Sequence, residues 1–499
     1  MNRVSSFSSA SYMIMMVFLQ RLSGLVVNIV LANLLIPATF GIFALFQRLC
    51  DTTSSVFRFG LTISTQVLVA EPESKELLST SKGSLIGAAL LTNLVIIFLG
   101  SIYLVAFRDS VSQDLFQQES IKPWIYCLVI FCFFQAFENA LEAILKGFGR
   151  FKIVGLFNSF IAIIFLIVAP IFVAFFSLKG AIYLYSFIQF LRAVFSIYYT
   201  YRTLGEEEIT ININNFIQSL RSHFAIAAPY YAPTLIAAPV SIILLSLLTK
   251  AGGLESMAFL KICVSMGMIV QAIPGAITTV FLSRFAEEDN SDNQGKLNDL
   301  FLMNIKIVWI FSILSSLALL AILPAIVGYL FGGQYVDVIK SAPYYLPTVT
   351  LVVLYNIVTS ALLARKFANS VMLSNIFCIA LWFLVGSYLI PIFSLNGYFI
   401  TELCGISLGF LASLTFYVRY LNPNKGFYST MIKIFIFSIL LFSSFFYLNE
   451  VLLIINRILI FGLLALIVLF FSWFSLINKS EKLRIKEIVT TLSSTLIRS

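Results

Sequence analysis

Charged residues are scarce in this sequence. They make up 11% of the 499 residues, about half of the ~25% that is usual in soluble domains, whereas hydrophobic residues account for 60% and the mean hydropathy is +0.98. The single histidine, His223, lies at a predicted helix entrance beside Arg221, which favours an interface or capping role over catalysis. The six cysteines include no C-x-x-C spacing, which argues against a metal centre or a disulfide framework. Gly-rich phosphate loops and nucleic-acid-binding motifs are absent as well, so we expect an all-α polytopic membrane protein without metal, cofactor or nucleic-acid partner.

Long apolar runs dominate what is present. At about 20 apolar residues per span, the sequence predicts about fourteen transmembrane helices. These lie near 10–36, 40–69, 83–107, 123–147, 153–176, 180–203, 223–249, 255–283, 301–331, 342–366, 370–391, 395–420, 430–448 and 455–477. The net charge of +9 comes mainly from Lys and Arg in alternate loops, and the positive-inside rule then predicts that both termini are cytoplasmic.

The span pattern divides the chain into two similar halves. Spans 1–6 and 7–12 have comparable lengths, which suggests a parallel repeat. We therefore predict two six-helix bundles over 1–221 and 222–425, two further transmembrane helices over 426–478, and a cytoplasmic tail over 479–499. The tail has spaced apolar residues typical of a helix on the membrane surface; a disordered tail is the alternative.

Three arginines interrupt the first two spans. Arg21 lies mid-way along the first, and Arg48 and Arg58 lie within the second. A charge at mid-membrane costs roughly 3 kcal/mol or more, so such residues normally face a bundle interior or a wet cavity. On a continuous helix, the polar residues from Gln47 to Gln66 fall within an arc of about 120°. We interpret the two spans as lining a cationic, hydrated cavity.

Lys261 and Asn28 extend this predicted cavity. Lys261 lies at about the depth of Arg48 in the corresponding span of the second half, and Asn28 shares the Arg21 face. Guanidinium groups bind phosphate oxygens in bidentate geometry and keep their charge. The predicted anion-binding residues are Arg21, Arg48, Arg58, Lys261, Asn28 and Gln47. The alternative is that Asp51 neutralises Arg48 and the polar stripe only packs against other helices.

Acidic residues inside the spans are candidates for ion coupling. Glu138 and Glu142 share one face of the fourth span with Lys146. Together with Asp51, they are candidates for coupling transport to H⁺ or Na⁺, and a structural salt-bridge ladder is the alternative.

Repeated tyrosine pairs form a second polar feature. They occur in the hexapeptides 228–233 and 342–347, which share the pattern Ala-Pro-Tyr-Tyr-x-Pro. Candidates for stacking on sugar rings are the tyrosines of these pairs and one further residue, namely Tyr230, Tyr231, Tyr344, Tyr345 and Tyr355. For most of them, the aromatic belt at the membrane interface is the favoured interpretation.

Several stretches resemble a known family. They include Pro37 with Phe40-Gly41, then Phe59-Gly60-Leu61, and the stretches 145–152 and 281–288. With the span count and loop placement, these resemble the bacterial polysaccharide-biosynthesis membrane proteins. That group contains the O-antigen and capsule flippases (Wzx type) of the multidrug/oligosaccharidyl-lipid/polysaccharide exporter superfamily.

The resemblance implies a fold like that of the multidrug (MATE) exporters and a flippase function. It implies two six-helix bundles around a central cavity, two additional helices, and movement of an undecaprenyl-diphosphate-linked oligosaccharide to the outer leaflet of the bacterial inner membrane. The expected partners are that lipid-linked glycan, membrane lipids and the polysaccharide polymerase and chain-length machinery. Arg21, Arg48 and Arg58 occupy places comparable to the cavity arginines of related lipid flippases. A cation-coupled multidrug antiporter of the same fold, a membrane polymerase or ligase, and a flippase for another glycan remain alternatives.

Overall fold

The chain folds almost entirely into helices. The computed structural model describes residues 19, 21–70, 81–110, 124–213, 215–289, 294–365, 367–421, 423, 425–451 and 454–476. The helices are α1 (Arg21–Leu34), α2 (Pro37–Phe57), α3 (Leu61–Ala70), α4 (Lys82–Ala106), α5 (Trp124–Gly147), α6 (Phe151–Glu206), α7 (Phe216–Asp289), α8 (Gln294–Ile326), α9 (Asp337–Ala364), α10 (Ala368–Leu421), α11 (Lys425–Val451) and α12 (Ile454–Phe471). Short helical turns follow α4 (Arg108–Ser110), α8 (Val327–Phe331, Gly333–Tyr335) and α12 (Ser472–Leu476). The all-α prediction is confirmed.

Three of these helices are too long for a single crossing. The 56 residues of α6 would extend about 84 Å at 1.5 Å per residue, against about 30 Å of hydrocarbon. One non-helical residue interrupts each of them, at Ser177 in α6, Gly253 in α7 and Ser394 in α10. These breaks fall in the predicted gaps between spans. Within the described residues, nine helices are long and apolar enough to cross a membrane, and the total of fourteen spans stays a prediction.

The breaks in α6 and α10 have the same sequence and geometry. Both carry the pattern Phe-Ser-Leu-x-Gly, which ends at Gly180 and Gly397. Ser177 has φ 52° and ψ −135°, and Ser394 has φ 48° and ψ −121°. A Cβ on Gly180 would lie 2.2 Å from the carbonyl oxygen eight residues earlier, and one on Gly397 2.3 Å from its counterpart. A continuous helix would separate these positions by about 12 Å, so the chain folds back at both turns.

The second predicted span differs from the expectation. In place of one helix over 40–69, α2 ends at Phe57 and α3 begins at Leu61, because Phe59 and Gly60 both have positive φ. The break is packed against α7: a Cβ on Gly60 would lie 3.0 Å from the Cβ atoms of Ala227 and Tyr231. The polar stripe therefore does not continue along one helix face beyond Arg58.

Close contacts join the first helices to the second half of the chain. A Cβ on Gly41 of α2 would lie 1.9 Å from the Leu254 carbonyl oxygen, so only a glycine allows α2 to approach the start of the second part of α7. Nearby, the Tyr335 hydroxyl donates to the Ala32 carbonyl oxygen at 3.0 Å. These contacts place α2 beside α7 and position the polar segment that follows Gly41.

His223 makes a further contact between distant segments. Its side chain is fully buried; Nδ1 lies 2.9 Å from the Ser64 hydroxyl and Nε2 lies 3.0 Å from the Leu85 carbonyl oxygen. The residue therefore fastens the start of α7 to α3 and α4, in agreement with the predicted interface role. The predicted division at 221/222 falls within α7 and stays a prediction, and the predicted tail over 479–499 lies outside the described residues.

Candidate functional site

A cavity of about 230 Å³ lies between α2 and the second half of the chain. It is lined by Arg48 from α2, by Val264, Met268 and Gln271 from α7, by Tyr345, Thr348, Val349 and Val352 from α9, and by Glu402 from α10. The cavity combines one basic group, one acidic group and several uncharged polar groups on helices that are far apart in sequence. Such a concave site with few polar groups is typical of ligand binding.

Asp51 interacts with three of the predicted basic residues. Its carboxylate acts electrostatically on Arg48, Arg58 and Lys261. Asp51 is exposed although most neighbouring positions of α2 are buried, so this part of the helix borders open space. The structure therefore brings four of the predicted polar residues, three basic and one acidic, into one electrostatic neighbourhood.

These basic side chains have no close acidic partner within the described part of the chain. The ion pairs within 4 Å that are seen there involve other residues, and the one hydrogen bond of Arg58 runs from Nε to the Ser54 carbonyl oxygen at 3.3 Å. Guanidinium and ammonium groups that lack a carboxylate ligand are available for an external anion.

Arg21 of α1 lies against the second part of α7. Its guanidinium nitrogens would lie 3.8 and 3.9 Å from a Cβ on Gly275. The Nη1 atom is buried and has no hydrogen-bond partner among the described residues. An unsatisfied buried donor is unfavourable, so this position favours a ligand or water that accepts a hydrogen bond.

Asn28 and Gln47 differ in their hydrogen bonding. Asn28 Nδ2 donates to the Ser265 hydroxyl at 2.9 Å, which joins α1 to α7. Gln47 is buried, and its Oε1 atom has no partner in the described structure. Asn28 is thus engaged in a contact between the two halves, whereas the Gln47 carbonyl is unsatisfied.

Glu138 and Glu142 lie in a buried polar network within the first half. Glu142 accepts from Lys146 Nζ and from Asn158 Nδ2, both at 2.6 Å. Glu138 accepts from Gln189 Nε2 at 3.0 Å. Nitrogen donors therefore occupy both Glu142 oxygens, whereas a sodium site would need oxygen ligands.

Several cavity residues were not predicted from the sequence. Glu402 could have been identified from the sequence, because it is an acidic residue inside an apolar run. Gln271 and Thr348 could not, since uncharged polar residues are common in transmembrane spans. Of the tyrosine pairs, Tyr345 reaches the cavity, whereas the Tyr231 hydroxyl donates to the Val56 carbonyl oxygen at 2.7 Å.

Comparison with known proteins adds the family. The sequence matches the family described as polysaccharide biosynthesis protein over residues 6–287, more than half of the chain. The chain belongs to this polysaccharide biosynthesis family. Among curated proteins, none matches the sequence significantly.

Solved structures similar to this polysaccharide biosynthesis protein are transporters. The lipid II flippase MurJ in an inward closed conformation aligns with a TM-score of 0.68 at 14% identity, over 92% of this chain and 98% of that one. An inward-facing multidrug resistance MATE family transporter of the MOP superfamily gives 0.64 at 15% identity, over 81% and 94%. A MOP superfamily transporter from Pyrococcus furiosus gives 0.61 at 16% identity, over 83% and 96%. The chain is therefore a multi-pass membrane protein with this transporter fold, as the sequence predicted.

Proposed function

We propose that this protein is a flippase for an undecaprenyl-diphosphate-linked oligosaccharide, such as an O-antigen or capsule repeat unit. It moves the headgroup from the inner to the outer leaflet of the bacterial cytoplasmic membrane, with both termini cytoplasmic and the polyprenyl tail in the lipid. The polysaccharide biosynthesis family and the transporter fold support this proposal. The fold similarity to a lipid II flippase is compatible with a lipid-linked substrate.

One observation carries the proposal: the central basic groups have no acidic partner within 4 Å in the described part of the chain, whereas some basic groups nearer the helix ends do. Lys146 binds Glu142, and Lys340 binds Asp337 at 2.8 Å. By contrast, Arg21, Arg48 and Lys261 form no ion pair within the described residues. Diphosphate carries the charge and the oxygen geometry that these groups need. In our proposal Arg21, Arg48, Arg58 and Lys261 hold the diphosphate, with Asn28 and Gln47 as polar neighbours.

Translocation then requires alternating access. The two halves rock about the bound headgroup, and the substrate must favour one arrangement through differential affinity. We propose Asp51 as the coupling residue closest to the substrate, with Glu138 as a more remote candidate for H⁺ or Na⁺ coupling. The contacts of Glu142 favour the structural salt-bridge alternative. The released glycan would pass to a polymerase and its chain-length partner.

The arginines are tested in a strain that lacks its own flippase. Arg21→Ala and Arg58→Ala should each reduce surface polysaccharide at least about tenfold, which corresponds to the loss of one charge-assisted phosphate contact. Lys340→Ala, which removes an exposed paired cation, is the control and should leave the polymer unchanged. Arg58→Lys keeps the positive charge but removes the planar guanidinium group, so its polymer level shows whether charge alone is sufficient. Normal polymer with well-expressed Arg21→Ala and Arg58→Ala proteins would contradict the proposal.

A multidrug antiporter is the second candidate, because the fold is similar to that of a MATE family transporter. Such an exporter takes cationic compounds, and Arg48 in the cavity, with Lys261 in the same electrostatic neighbourhood, disfavours them. Drug resistance conferred by the wild-type chain, without restored polysaccharide, would favour the antiporter.

A further inference from the structure

Besides Arg48 and four apolar side chains, the lining of the 230 Å³ cavity carries Glu402 and the uncharged polar residues Gln271, Tyr345 and Thr348. These four residues form the polar wall of the cavity. Thr348 is 1% exposed, and its hydroxyl has no hydrogen-bond partner within the described residues. Because buried hydroxyls are nearly always satisfied, this one indicates a position where a ligand supplies the partner.

The Tyr345 ring is fixed at the edge of this wall. Gly267 of α7 makes room for it, since a Cβ there would lie 2.6 Å from Tyr345 Cε1 and 3.0 Å from its hydroxyl oxygen. On the other side, the ring packs against Phe399 with centroids 4.9 Å apart. A rigid aromatic ring beside a hydroxyl, an amide and a carboxylate matches a sugar, which has an apolar C–H face and a rim of hydroxyls.

The volume matches one sugar ring rather than a chain. At about 30 Å³ per water molecule, 230 Å³ holds about eight waters, which is comparable to a single pyranose unit. It lies just below the range of about 300–1,000 Å³ for larger ligands.

The Glu402 carboxylate makes this wall unfavourable for negatively charged groups of a ligand. Its carboxylate lies in the electrostatic field of Arg48, but no ion pair within 4 Å joins them in the described structure. When a diphosphate binds Arg48, the Glu402 carboxylate needs other donors. Hydroxyl, amide or amine groups of a sugar provide them, whereas a sugar carboxylate adds a like charge, which discriminates by repulsion.

We propose that this cavity binds the sugar attached directly to the diphosphate, and that Glu402 selects a neutral or amino sugar over an acidic one at that position. This inference rests on the proposed function, because Arg48 must hold the diphosphate for the cavity to receive the first sugar. The exposed edge of Tyr345 contacts the C–H groups of the sugar ring, and Thr348 and Gln271 bind its hydroxyls.

Binding to the purified full-length protein in detergent tests the proposal. The probes are polyprenyl diphosphate, polyprenyl-diphosphate N-acetylglucosamine and polyprenyl-diphosphate glucuronic acid, and the readout is the Kd of each. The wild type should bind the N-acetylglucosamine lipid about tenfold more tightly than the bare lipid, as expected for hydrogen bonds to buried and charged groups. Thr348→Val should remove most of this gain and leave the affinity for the bare lipid unchanged.

Thr350 offers a matched control on the same helix. It is equally buried, but its hydroxyl donates to the Leu346 carbonyl oxygen at 3.3 Å and it is not part of the cavity wall. Thr350→Val should therefore keep the full gain from the sugar. Glu402→Gln should bring the glucuronic acid lipid to within about threefold of the N-acetylglucosamine lipid, since the repulsive charge is gone.

The outcomes separate this inference from the proposed function. Equal gains from the sugar in the wild type and Thr348→Val, equal losses in Thr348→Val and Thr350→Val, or unchanged discrimination in Glu402→Gln would overturn the sugar site. Failure of the wild type to bind bare polyprenyl diphosphate would instead overturn the proposed function.

Discussion

Charged side chains inside this protein have two kinds of surroundings. Glu142 has its oxygens occupied by Lys146 and Asn158, which is the arrangement of a structural pair. Arg48 and Lys261 have no ion-pair partner within 4 Å in the described part of the chain. Desolvated charges persist when they are paired or when they serve a ligand, so the first kind indicates stability and the second indicates binding.

This difference gives a residue-scale prediction for Glu142. Glu142→Ala removes the partner of Lys146 and Asn158, and breaking a buried pair costs about 3 kcal/mol. We therefore expect the Tm in detergent to fall by several degrees. Glu206→Ala is the control: it removes an exposed pair with Arg150 and Arg202, worth at most about 1 kcal/mol. An unchanged Tm for Glu142→Ala together with lost transport would favour a coupling role instead of a structural one.

At the scale of elements, α1 and α7 contact each other across the two halves. The hydrogen bond from Asn28 to Ser265 spans 2.9 Å, and Gly41 of α2 lies against Leu254 at the start of the second part of α7. If the halves rock during transport, this contact must open in one state. A crosslink that holds this contact closed should therefore stop the transport cycle.

Crosslinking tests this movement. In a transport-competent variant with the six native cysteines replaced, Asn28→Cys with Ser265→Cys should be joined by a short thiol crosslinker, and surface polysaccharide should be lost until the link is reduced. The control pair, Ser316→Cys with Thr350→Cys, joins α8 to α9 within the second half, where the hydroxyls are 3.5 Å apart. It should crosslink without loss of polysaccharide. Full transport with the Asn28–Ser265 position linked would show that α1 and α7 do not separate.

Helix boundaries could be predicted from the sequence where the residues at the boundary themselves mark the end of an apolar run. The gaps between spans that contain Ser177, Gly253 and Ser394 were located from apolar run lengths, with Gly252-Gly253 as a further turn signal. The break at Phe59 and Gly60 was not, because it depends on the approach of α7 at Ala227. A contact between distant segments has no local signature in a single sequence.

At the scale of the whole molecule, the site is assembled from both halves of the chain. Arg48 and Asp51 were predictable because charge in an apolar run is conspicuous. The sequence also predicted Lys261 beside Arg48, whereas the place of Glu402 in the cavity was not predicted, since it depends on how α10 packs against α7 and α9. Folding therefore brings isolated intramembrane charges into one electrostatic neighbourhood, of which Arg48 and Glu402 line the cavity.

Translocation by purified protein in vesicles tests the central claim most directly. Proteoliposomes would contain a fluorescent polyprenyl-diphosphate disaccharide, and movement between leaflets would be measured by quenching from outside. We predict that the wild type translocates the lipid, and that a folded variant with Arg21, Arg48, Arg58 and Lys261 all replaced by Ala falls to the rate of empty vesicles. Translocation by that variant at the wild-type rate would contradict the account.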